Sequence, residues 1–581
     1  MRRGAAGLVI VLLFLSALGV RLYELDSESI WMDEDMQAGR ANRNPFDPTL
    51  VDRAALQQQP PIDYVFQAIA LKNFRLSTVG ARIGAVFLGT LTVMGLMLIA
   101  MTLSKERLIW AAGFAIALIH PGLVRFSQEG RPVAMAVLLA TIHLLIILKT
   151  LARPALITQL DWFLGLVITE IALLWSIGFQ PVVFLLTSAV ALLPFLLIRE
   201  QRRTVGIVYL ATGLALLIAS PILLNTVAHS QNYVPEKSLL LMFGRIFDGL
   251  FELTLDGVLE RYATTLQQGI IPILLIVAAG VITMIVKRRT FQNRSVFTSA
   301  IYLVLFSALF PLLFDTLFTA LIDYRITERY YLVFVPVLLS LFVAMLEIVV
   351  NAIKSHRTFP SRPGLILVAL IVVFVFSSFS YQTVSGIYHE KTNAGWREMY
   401  QLFRQPGHEG SRAYMMNLIR LNRYRPYFFA RRFYYSSKTP PVALSRIDQL
   451  PKHYKSNKVW RRCPKLFFAT MYGYNNIRAD LFEELPFVTV RRFGHLSVMS
   501  ITPASSMHNS VLKLFRHMSE RLGASEVRKK YFYKIHETLF ELERIEENPE
   551  GMKNALKRLE SINQGRHLSP LIRKLSKRLK K

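Results

Sequence analysis

Long apolar stretches recur along the first two thirds of the chain, from about residue 5 to about residue 380. Each is long enough to cross the roughly 30 Å hydrocarbon core of a bilayer as a helix. Together with the Lys and Arg residues in the short connections, they predict about eleven transmembrane helices. The predicted spans are 5–20, 81–103, 108–124, 133–148, 162–179, 182–198, 205–224, 269–286, 296–314, 331–350 and 365–379.

The basic residues orient the chain in the membrane. Arg2 and Arg3 precede the first span and favour a cytoplasmic N-terminus, and most strongly basic connections then fall on that side. An odd number of spans places the part after residue 380 outside the cytoplasm. The segment 160–200 is interpreted as two spans or as one. If it forms one span, the predicted membrane orientation of every later segment is reversed. The first span lacks a convincing cleavage site, so we expect an uncleaved signal anchor.

The last roughly 200 residues carry charges throughout and hold no run long enough to span. They predict an extramembrane part with mixed α and β structure. The predicted elements are a helix at 396–403, strands at 466–471 and 487–501 with a hairpin near 491–495, and charged helices after about 508. We therefore expect a transmembrane catalytic domain at 1–380, a small α/β domain at 381–504 and a basic helical extension at 505–581.

Composition agrees with this division. Of the 581 residues 52% are hydrophobic, and the mean hydropathy is +0.36, which is typical of a polytopic membrane protein. The formal net charge is +29, and the part after residue 380, with about 38 basic and about 16 acidic residues, carries roughly +22 of it. Such a charge favours an acidic partner or anionic lipid, of which we favour lipid, and an external location disfavours nucleic acid. A single cysteine, Cys463, excludes an intrachain disulfide.

Three consecutive acidic residues, Asp33, Glu34 and Asp35, follow the first span beside Trp31. They lie in the long external segment 21–80. Ionised groups close to a membrane are costly unless they face water or a partner, so they are candidates for function. The alternative is that they merely solvate a loop, and the remaining polar pattern decides between the two.

Three further polar stretches lie at the same predicted face of the membrane. They are 57–64 (QQQPPIDY), 126–133 (FSQEGRPV) and 323–331 (DYRITERYY). Taken singly, each is explained as a short connection, or as arginine at the level of the lipid phosphates. Taken together, they cluster carboxylates and arginines at one face, which indicates a site for a phosphate-bearing molecule.

The residue types in these stretches fit that chemistry. Arginine binds phosphate oxygens through a planar fork, and a carboxylate takes a proton from a hydroxyl group. Pro60 and Pro61 block a helix and open the segment 62–74, whose composition suits an amphipathic helix lying at the interface. The other candidate residues are Glu129, Arg131, Arg325 and Arg329.

Several common sites are absent from the sequence. It contains no phosphate-binding P-loop, no dinucleotide glycine fingerprint and no His/Cys cluster with zinc-site spacing. Soluble nucleotide-activated donors would not reach an external site, so an activated donor there arrives on a lipid. Span centres largely lack Arg and Asp, which disfavours a transport pathway.

The polar motifs resemble those of the GT-C superfamily of membrane glycosyltransferases, over about residues 1–400. The resemblance is closest to the bacterial branch that includes protein O-mannosyltransferases and the aminoarabinose transferase acting on lipid A. This sequence has Gln59 where the family usually has His, and Val133 where it usually has Tyr. The matching positions, in order, are Asp33-Glu34, Gln59-Pro60-Pro61-Ile62-Asp63-Tyr64, Arg82, Ser127 to Ala134, Arg329-Tyr330 and Trp396-Arg397.

The resemblance implies an inverting transferase with an external active site and a polyprenyl-phosphate-linked sugar as donor. Asp33 would be the general base for the acceptor hydroxyl, and Glu34 would support the acceptor or a metal. Arg82, Arg131 and Arg329 would hold the donor phosphate. We expect no cofactor, although some relatives use a divalent metal ion. The supporting residues are Pro60, Pro61, Tyr64, Glu129, Arg325 and Tyr330.

The main hypothesis is therefore a glycosyltransferase of the bacterial inner membrane that modifies an extracytoplasmic lipid, glycan or protein. The alternative class is a flippase or transporter of lipid-linked glycans, which binds the same anionic lipid without chemistry. A third possibility is a non-catalytic scaffold whose basic C-terminal part docks an acidic polymer.

Overall fold

The computed structural model describes the greater part of the chain. The described residues are 3–27, 30, 32–42, 62–177, 180–228, 275–286, 294–321, 332–355, 361–384, 396–415, 442–446, 449–456, 463–471, 485–493, 496–502, 506–521, 529–562 and 569–579. Contacts divide the chain into two compact units. The first unit comprises residues 1–26 and 36–390, and the second comprises residues 27–35 and 391–581.

Helices build the chain up to residue 390. Each predicted apolar stretch coincides with a helix in its described part, usually extended by a few residues at the ends. The helices are α1 (Arg3–Leu22), α2 (Met32–Ala41), α3 (Ile62–Phe74), α4 (Thr78–Leu103), α5 (Arg107–Ile119), α6 (Pro121–Ser127), α7 (Val133–Ala152), α8 (Leu160–Leu174), α9 (Gln180–Leu192), α10 (Arg199–Ala228), α11 (Leu275–Val286), α12 (Arg294–Leu321), α13 (Val335–Ser355) and α14 (Ser361–Gln382).

Six helices in the described part of the chain are long and apolar enough to cross a membrane. A seventh span results if α5 and α6 are counted as one, and shorter apolar helices lie on three further predicted spans. The prediction of a multi-pass helical membrane protein is therefore confirmed, whereas the number eleven stays a prediction. The six are Thr78–Leu103, Val133–Ala152, Gln180–Leu197, Arg199–Pro221, Leu332–Lys354 and Pro363–Tyr381.

Exposed apolar side chains show which surfaces would face lipid. Leu12 on α1, Leu217 on α10 and Ile366 on α14 are each more than half exposed. A water-soluble protein would not display such a contiguous apolar surface, whereas a bilayer accommodates it. The interior is packed from the opposite faces of the helices, where Leu144 on α7 and Phe306 on α12 are fully buried.

The stretch predicted as one span at 108–124 is broken. Helix α5 ends at Ile119, and α6 begins at Pro121 after a bend of 51°. Proline suits the first turn of a helix because it has no N–H to satisfy. Nδ1 of His120 accepts a hydrogen bond from the Leu123 N–H (3.3 Å), and the Thr383 hydroxyl donates to the Ile119 carbonyl (2.6 Å). Side chains thus form hydrogen bonds with the backbone groups at the break, which have no water to bond in apolar surroundings.

Polar side chains from five helices meet in the apolar interior of the first unit. Nε2 of His143 (α7) lies 3.0 Å from Oγ of Ser188 (α9), and Nδ1 lies 3.2 Å from Oε1 of Glu170 (α8). Oγ of Ser188 lies 2.8 Å from the hydroxyl of Tyr302 (α12), and Thr212 (α10) donates to Oε1 of Glu170 at 2.9 Å. All five side chains are buried. This intramembrane polar network contains neither Arg nor Asp, so it leaves the prediction about those two residue types unchanged, but it adds a buried His and a buried Glu to the interior of the spans.

Helix α3 has the bounds predicted for the interfacial segment, residues 62–74. Its polar residues Asp63 and Gln67 are buried, while Ile69 and Phe74 are about half exposed. An amphipathic helix at a water interface would turn its polar side outward. The sequence prediction gave α3 no orientation: the helix packs on α4 with Asp63 and Gln67 buried, whereas Lys72 and Asn73 near its end are exposed.

The second unit has an α/β core with helices on either side. The predicted helix at 396–403 and strand at 466–471 are observed with those bounds, and the predicted strand at 487–501 is a hairpin of two strands whose residues 494–495 lie outside the described part. The elements are α15 (Trp396–Phe403), β1 (Ser411–Met415), β2 (Val442–Arg446), α16 (Leu450–Ser456), β3 (Leu466–Met471), β4 (Val488–Phe493), β5 (Leu496–Ile501), α17 (Met507–Arg521), α18 (Lys529–Ile545), α19 (Pro549–Ile562) and α20 (Ser569–Leu579).

The strands form a mixed sheet of order β2-β1-β3-β5-β4. Strand β1 runs parallel to β2 and β3, and β5 runs antiparallel to β3 and β4. Successive side chains of β3 point to opposite faces. Phe467 packs on Phe403 of α15 with ring centroids 5.0 Å apart, and Phe468 packs on Phe515 of α17 at 5.7 Å. Helices therefore cover both faces of the sheet, and one core runs across the domain boundary predicted at residue 504.

The C-terminal helix α20 is part of this core. Leu575 is buried, and Ile572 and Leu579 pack against the same cluster. Arg573 and Lys577 lie on the opposite, exposed face. The apolar side of the basic helix is therefore occupied within its own unit, and its cationic side faces outward.

Close helix packing predicts a strong effect of Gly89→Ala. A Cβ at Gly89 would overlap Oγ of Ser127 on α6, so the substitution should separate α4 from α6 and cost about 1–3 kcal/mol of stability. Gly165→Ala on α8 is the matched control, because a Cβ there meets no atom within 4 Å. Thermal unfolding in detergent micelles checks this, and equal melting temperatures for both variants would contradict it.

Candidate functional site

Five of the predicted site residues lie outside the described part of the chain. These residues are Pro60, Pro61, Arg325, Arg329 and Tyr330. Their assignment to donor binding or to support of the site stays a prediction.

The predicted catalytic pair Asp33-Glu34 lies in the first turn of α2. By contacts, both residues group with the second unit. The side chains of Glu34 and Asp35 are buried. The partial positive charge of a helix N-terminus stabilises carboxylates in this position. The start of α2 is therefore a place where acidic side chains are tolerated without exposure to water.

A polar cluster links α2, α3 and the turn before α7. Nε2 of Gln37 donates a hydrogen bond to Oδ2 of Asp63. Arg131 is buried nearby, and its charge acts on the Asp63 carboxyl. Nε2 of Gln67, one helical turn after Asp63, donates to the carbonyls of Ala81 (3.3 Å) and Gly130 (3.1 Å). Arg131 is thus held beside a buried carboxyl by a turn that is itself fixed to α3.

The turn from Ser127 to Pro132 is tight because two backbones approach closely there. The Arg131 N–H donates to the Glu129 carbonyl at 2.8 Å. A Cβ at position 130 would overlap the Ala81 carbonyl oxygen and lie 3.2 Å from Nε2 of Gln67, so only glycine fits. Gly130 therefore permits the contact that positions Arg131.

Two predicted donor-phosphate or supporting residues have structural contacts of their own. Nη1 of the buried Arg82 donates to the Leu25 carbonyl at 2.9 Å, which fixes the chain just after α1. Oε1 of Glu129 accepts from Nε of Arg125 at 3.2 Å, in an ion pair one turn apart on the chain. Through this pair Glu129 supports the end of α6. Tyr64 is buried.

Arg21 is a buried cation that the sequence analysis did not single out. Its Nε donates to Oγ of Ser127 at 3.2 Å, and Nη1 donates to the carbonyls of Ala17 (3.2 Å) and Leu118 (3.5 Å). The side chain of Gln128 in turn donates to the Arg21 and Tyr23 carbonyls. These bonds fix α1 to the turn that carries Arg131.

A small gap, with room for about one water molecule, lies beside this turn. Its lining is mostly apolar, with Leu123 and Val137 among the walls and Thr92 and Ser127 as polar groups. Ser127 lies four residues before Arg131, so the gap lies close to the segment that presents this cation.

The pKa of the Asp63 carboxyl lies close to neutral pH, which suits a group that accepts a proton there. Burial raises the pKa of its carboxyl to about 7, and the nearby Arg131 and the hydrogen bond from Gln37 only partly offset that rise. Carboxyls tuned in this way are common at catalytic sites. In the sequence analysis Asp63 was only one residue of the matched motif 59–64 and was given no role. The four-residue spacing of Asp63 and Gln67 on one helix face was the signal that could have found it.

No group of three or more His, Cys, Asp or Glu side chains suited to a metal ion occurs in the part of the chain that the structure describes. The expectation of no cofactor, with a divalent ion as the alternative, stays a prediction.

Comparison with known proteins gives fold-level similarities. A scan against protein-family models and a search of curated proteins give no match. Among solved structures, ArnT from Cupriavidus metallidurans in the apo state is 13% identical, with a TM-score of 0.48 over 85% of this chain and 98% of that chain. The same protein bound to undecaprenyl phosphate is 12% identical, with a TM-score of 0.47 over the same shares.

The archaeal oligosaccharyltransferase AglB from Archaeoglobus fulgidus, in complex with an inhibitory peptide and a dolichol-phosphate, is also similar. It is 10% identical, with a TM-score of 0.43 over 79% of this chain and 69% of that chain. These similarities have TM-scores below 0.5, so the superfamily assignment drawn from the motifs stays a resemblance in sequence. The functional proposal rests on the residues of this chain.

The raised pKa of Asp63 predicts how stability depends on pH. The folded protein holds this proton up to about pH 7, whereas the unfolded chain loses it near 3.8, so the free energy of unfolding falls as pH rises between the two. Asp63→Asn removes that loss. We expect the variant to melt above the wild type at about pH 8 and close to it at about pH 4.

Thermal unfolding in detergent micelles measures this difference. Asp161→Asn, which changes an exposed carboxylate at the start of α8, is the control and should leave the pH dependence unchanged. A lower melting temperature for Asp63→Asn at about pH 8 would show that pairing with Arg131 outweighs desolvation.

Proposed function

We propose that this protein is an inverting membrane glycosyltransferase. It moves a sugar from a polyprenyl-phosphate donor to an extracytoplasmic acceptor, which is a lipid, a glycan or a protein. The proposal places the chain in a bacterial inner membrane, with the N-terminus in the cytoplasm and the second unit outside. The polyprenyl-phosphate donor lies in the same membrane whose lipids surround the first unit.

The observation that carries the proposal is the preorganised cluster of Gln37, Asp63 and Arg131. Arg131 is buried and is held by a turn that closes on α3. A buried arginine fixed in this way suits the phosphate of a lipid-linked donor, since a guanidinium binds phosphate oxygens in a fork. The sequence motifs that resemble the GT-C superfamily, and their order along the chain, independently support the assignment of Arg131 to donor phosphate.

In the proposed reaction the acceptor oxygen attacks the anomeric carbon of the donor sugar. The new C–O bond forms as the bond from that carbon to the phosphate oxygen breaks, so the polyprenyl phosphate leaves with the bonding electrons. One displacement inverts the anomeric carbon. Asp33 takes the hydroxyl proton, and Arg131, with Arg329 and Arg82, stabilises the phosphate as its charge grows. Glu34 orients the acceptor.

A second candidate function has an observation in its favour. The intramembrane polar network places His143 and Glu170 in the interior of the first unit, as a transporter of lipid-linked glycans would require. A transporter would bind the donor lipid without transferring sugar. A wild-type protein that binds the donor but transfers no sugar would be a transporter. A wild-type protein that transfers sugar, with a variant that loses transfer but still binds the donor, would be a transferase.

Substitution of Asp33 tests the catalytic base. Asp33→Ala should lower sugar transfer by about 100-fold or more while donor binding stays unchanged, because a general base contributes to the chemical step alone. The measurement follows radiolabelled sugar from polyprenyl-phosphate donors into acceptors in membranes that hold each protein.

Glu24→Gln, a change of an exposed carboxylate just after α1, is the control and should transfer normally. Equal transfer by Asp33→Ala and the wild type would remove Asp33 from the mechanism. Donor binding without transfer by the wild type itself would favour the transporter.

Substitution of Arg131 tests the phosphate site. Arg131→Gln should weaken binding of the polyprenyl-phosphate donor by about 10-fold or more, and Arg131→Lys should recover part of the loss because it restores charge without the fork. Arg125→Gln is the matched control, since Arg125 pairs with Glu129. Donor affinity that is unchanged in Arg131→Gln and reduced in Arg125→Gln would reverse the assignment.

A further inference from the structure

Three buried polar atoms on α3, α8 and α9 have no hydrogen-bond partner within the described part of the chain. They are Oε1 of Gln67 on α3, Nε1 of Trp175 at the end of α8 and Oε1 of Gln180 at the start of α9. Such atoms are uncommon, because each loses its bonds to water on folding. We propose that Gln67, Trp175 and Gln180 form a subsite that binds hydroxyl groups of the donor sugar, an inference that rests on the proposed transferase function.

A backbone hydrogen bond joins the end of α8 to the start of α3. The Ile62 N–H donates to the Trp175 carbonyl (3.4 Å), so Trp175 lies against the first turn of α3. The next residue of α3 is Asp63, which accepts a hydrogen bond from Gln37 and is subject to the charge of Arg131. The sugar of the donor is joined directly to its phosphate. A phosphate held by Arg131 therefore brings the sugar close to these two helix ends.

The bonds of Gln67 decide which of its side-chain atoms is available to a ligand. Both bonds run to backbone carbonyls, those of Ala81 (3.3 Å) and Gly130 (3.1 Å), and a carbonyl oxygen accepts only from a donor such as N–H. The amide nitrogen is therefore used, and Oε1 is the remaining polar atom. Since Gly130 directly precedes Arg131, the contact that positions the cation also fixes this oxygen.

Trp175 differs from a tryptophan that anchors a helix at the membrane surface. A tryptophan in that role directs its N–H to water or to lipid headgroups. The residue as a whole is partly exposed here, yet its Nε1 atom is shielded from solvent. The N–H is thus directed into the protein, where a bound hydroxyl group can accept from it. Gln180 is only 1% exposed, so its amide oxygen is shielded in the same way.

The chemical types of the three atoms suit hydroxyl groups. Two amide oxygens accept hydrogen bonds and one indole N–H donates, and a hydroxyl group does both. None of the three side chains is charged, so the set suits an uncharged sugar ring and leaves the phosphate to Arg131. A site whose buried polar groups bond substrate hydroxyls rejects a ligand without them, because those groups then stay unpaired. The subsite therefore selects donors by their sugar and not by their lipid.

Binding of a polyprenyl phosphate and of its glucose-, mannose- and galactose-linked forms to the full chain in detergent tests this. The wild type should bind at least one sugar-linked form more tightly than the polyprenyl phosphate alone. Gln180→Leu and Trp175→Phe should each weaken binding of that form by about 5- to 10-fold, since each removes one hydrogen bond, and should leave the affinity for polyprenyl phosphate unchanged. Gln159→Leu and Trp162→Phe, at the other end of α8, are the matched controls and should change neither affinity.

Thermal unfolding without ligand separates this role from a structural one. Gln180→Leu replaces a buried amide, whose oxygen has no partner among the described residues, by an apolar group of similar size. The free protein should therefore melt at the wild-type temperature or above it. A lower melting temperature would show that Gln180 stabilises the fold through its own bonds, and would overturn its place in the subsite.

Two binding results also overturn the proposal. One is equal affinity of the wild type for polyprenyl phosphate and for every sugar-linked form. The other is an equal loss of affinity for both kinds of ligand in Gln180→Leu and Trp175→Phe. Failure of the transferase proposal gives a different result, because sugar-dependent binding without transfer of label to an acceptor supports the subsite and contradicts the transferase.

Discussion

Apolar surroundings favour arrangements in which the buried polar groups of the first unit bond to one another or to the backbone. Arg82 meets the Leu25 carbonyl, Arg21 meets Ser127, and Glu347 meets Ser104. Each pair joins segments that are distant in sequence, so satisfying the polar group also fixes where one helix lies against another. Apolar contacts alone are less selective, because many registers of two apolar helices bury similar areas. The polar pairs therefore define the arrangement that the apolar core then fills.

The same constraint shapes the candidate site. Gly130 permits a backbone contact, Gln67 bonds across it, and Arg131 is consequently presented next to Asp63. A site that handles phosphate benefits from such rigidity, since a guanidinium held in place loses little freedom when a ligand arrives. The turn is short, and its position depends on α1, α3 and α4 together. Changes distant from Arg131 along the chain therefore act on the site through the positions of these helices.

Much of the helical architecture follows from the sequence because apolar length is a strong local signal. The bounds of α3, α15 and β3 agree with the pattern to the residue. The break at His120 was not predicted, because Pro121 in an apolar run marks a kink without revealing the side chains that satisfy it. The burial of Asp63 and Gln67 on α3 was also not predicted, because residue types alone do not tell which side of a short helix packs against the protein.

The candidate site was predictable only in part, for a related reason. Asp33, Glu34 and Arg131 stand out by their position next to apolar stretches. Asp63 and the pair His143–Glu170 acquire meaning from partners that are distant in the chain. Gln37 lies 26 residues from Asp63, and Ser188 lies 45 residues from His143. A single sequence carries no record of such pairings. Position identifies a candidate residue, whereas its protonation depends on the fold.

The orientation of α20 determines which of its side chains, apolar or charged, are available to a partner of the basic C-terminal part. Since Leu575 and its neighbours are used inside the second unit, the helix has no apolar face left for insertion among acyl chains. Arg573 and Lys577 can attract an acidic surface only through charge. Charge attraction at an exposed surface decays over about 10 Å at 0.1 M salt. An acidic partner of this helix would therefore be held by charge alone, and its binding would weaken as ionic strength rises.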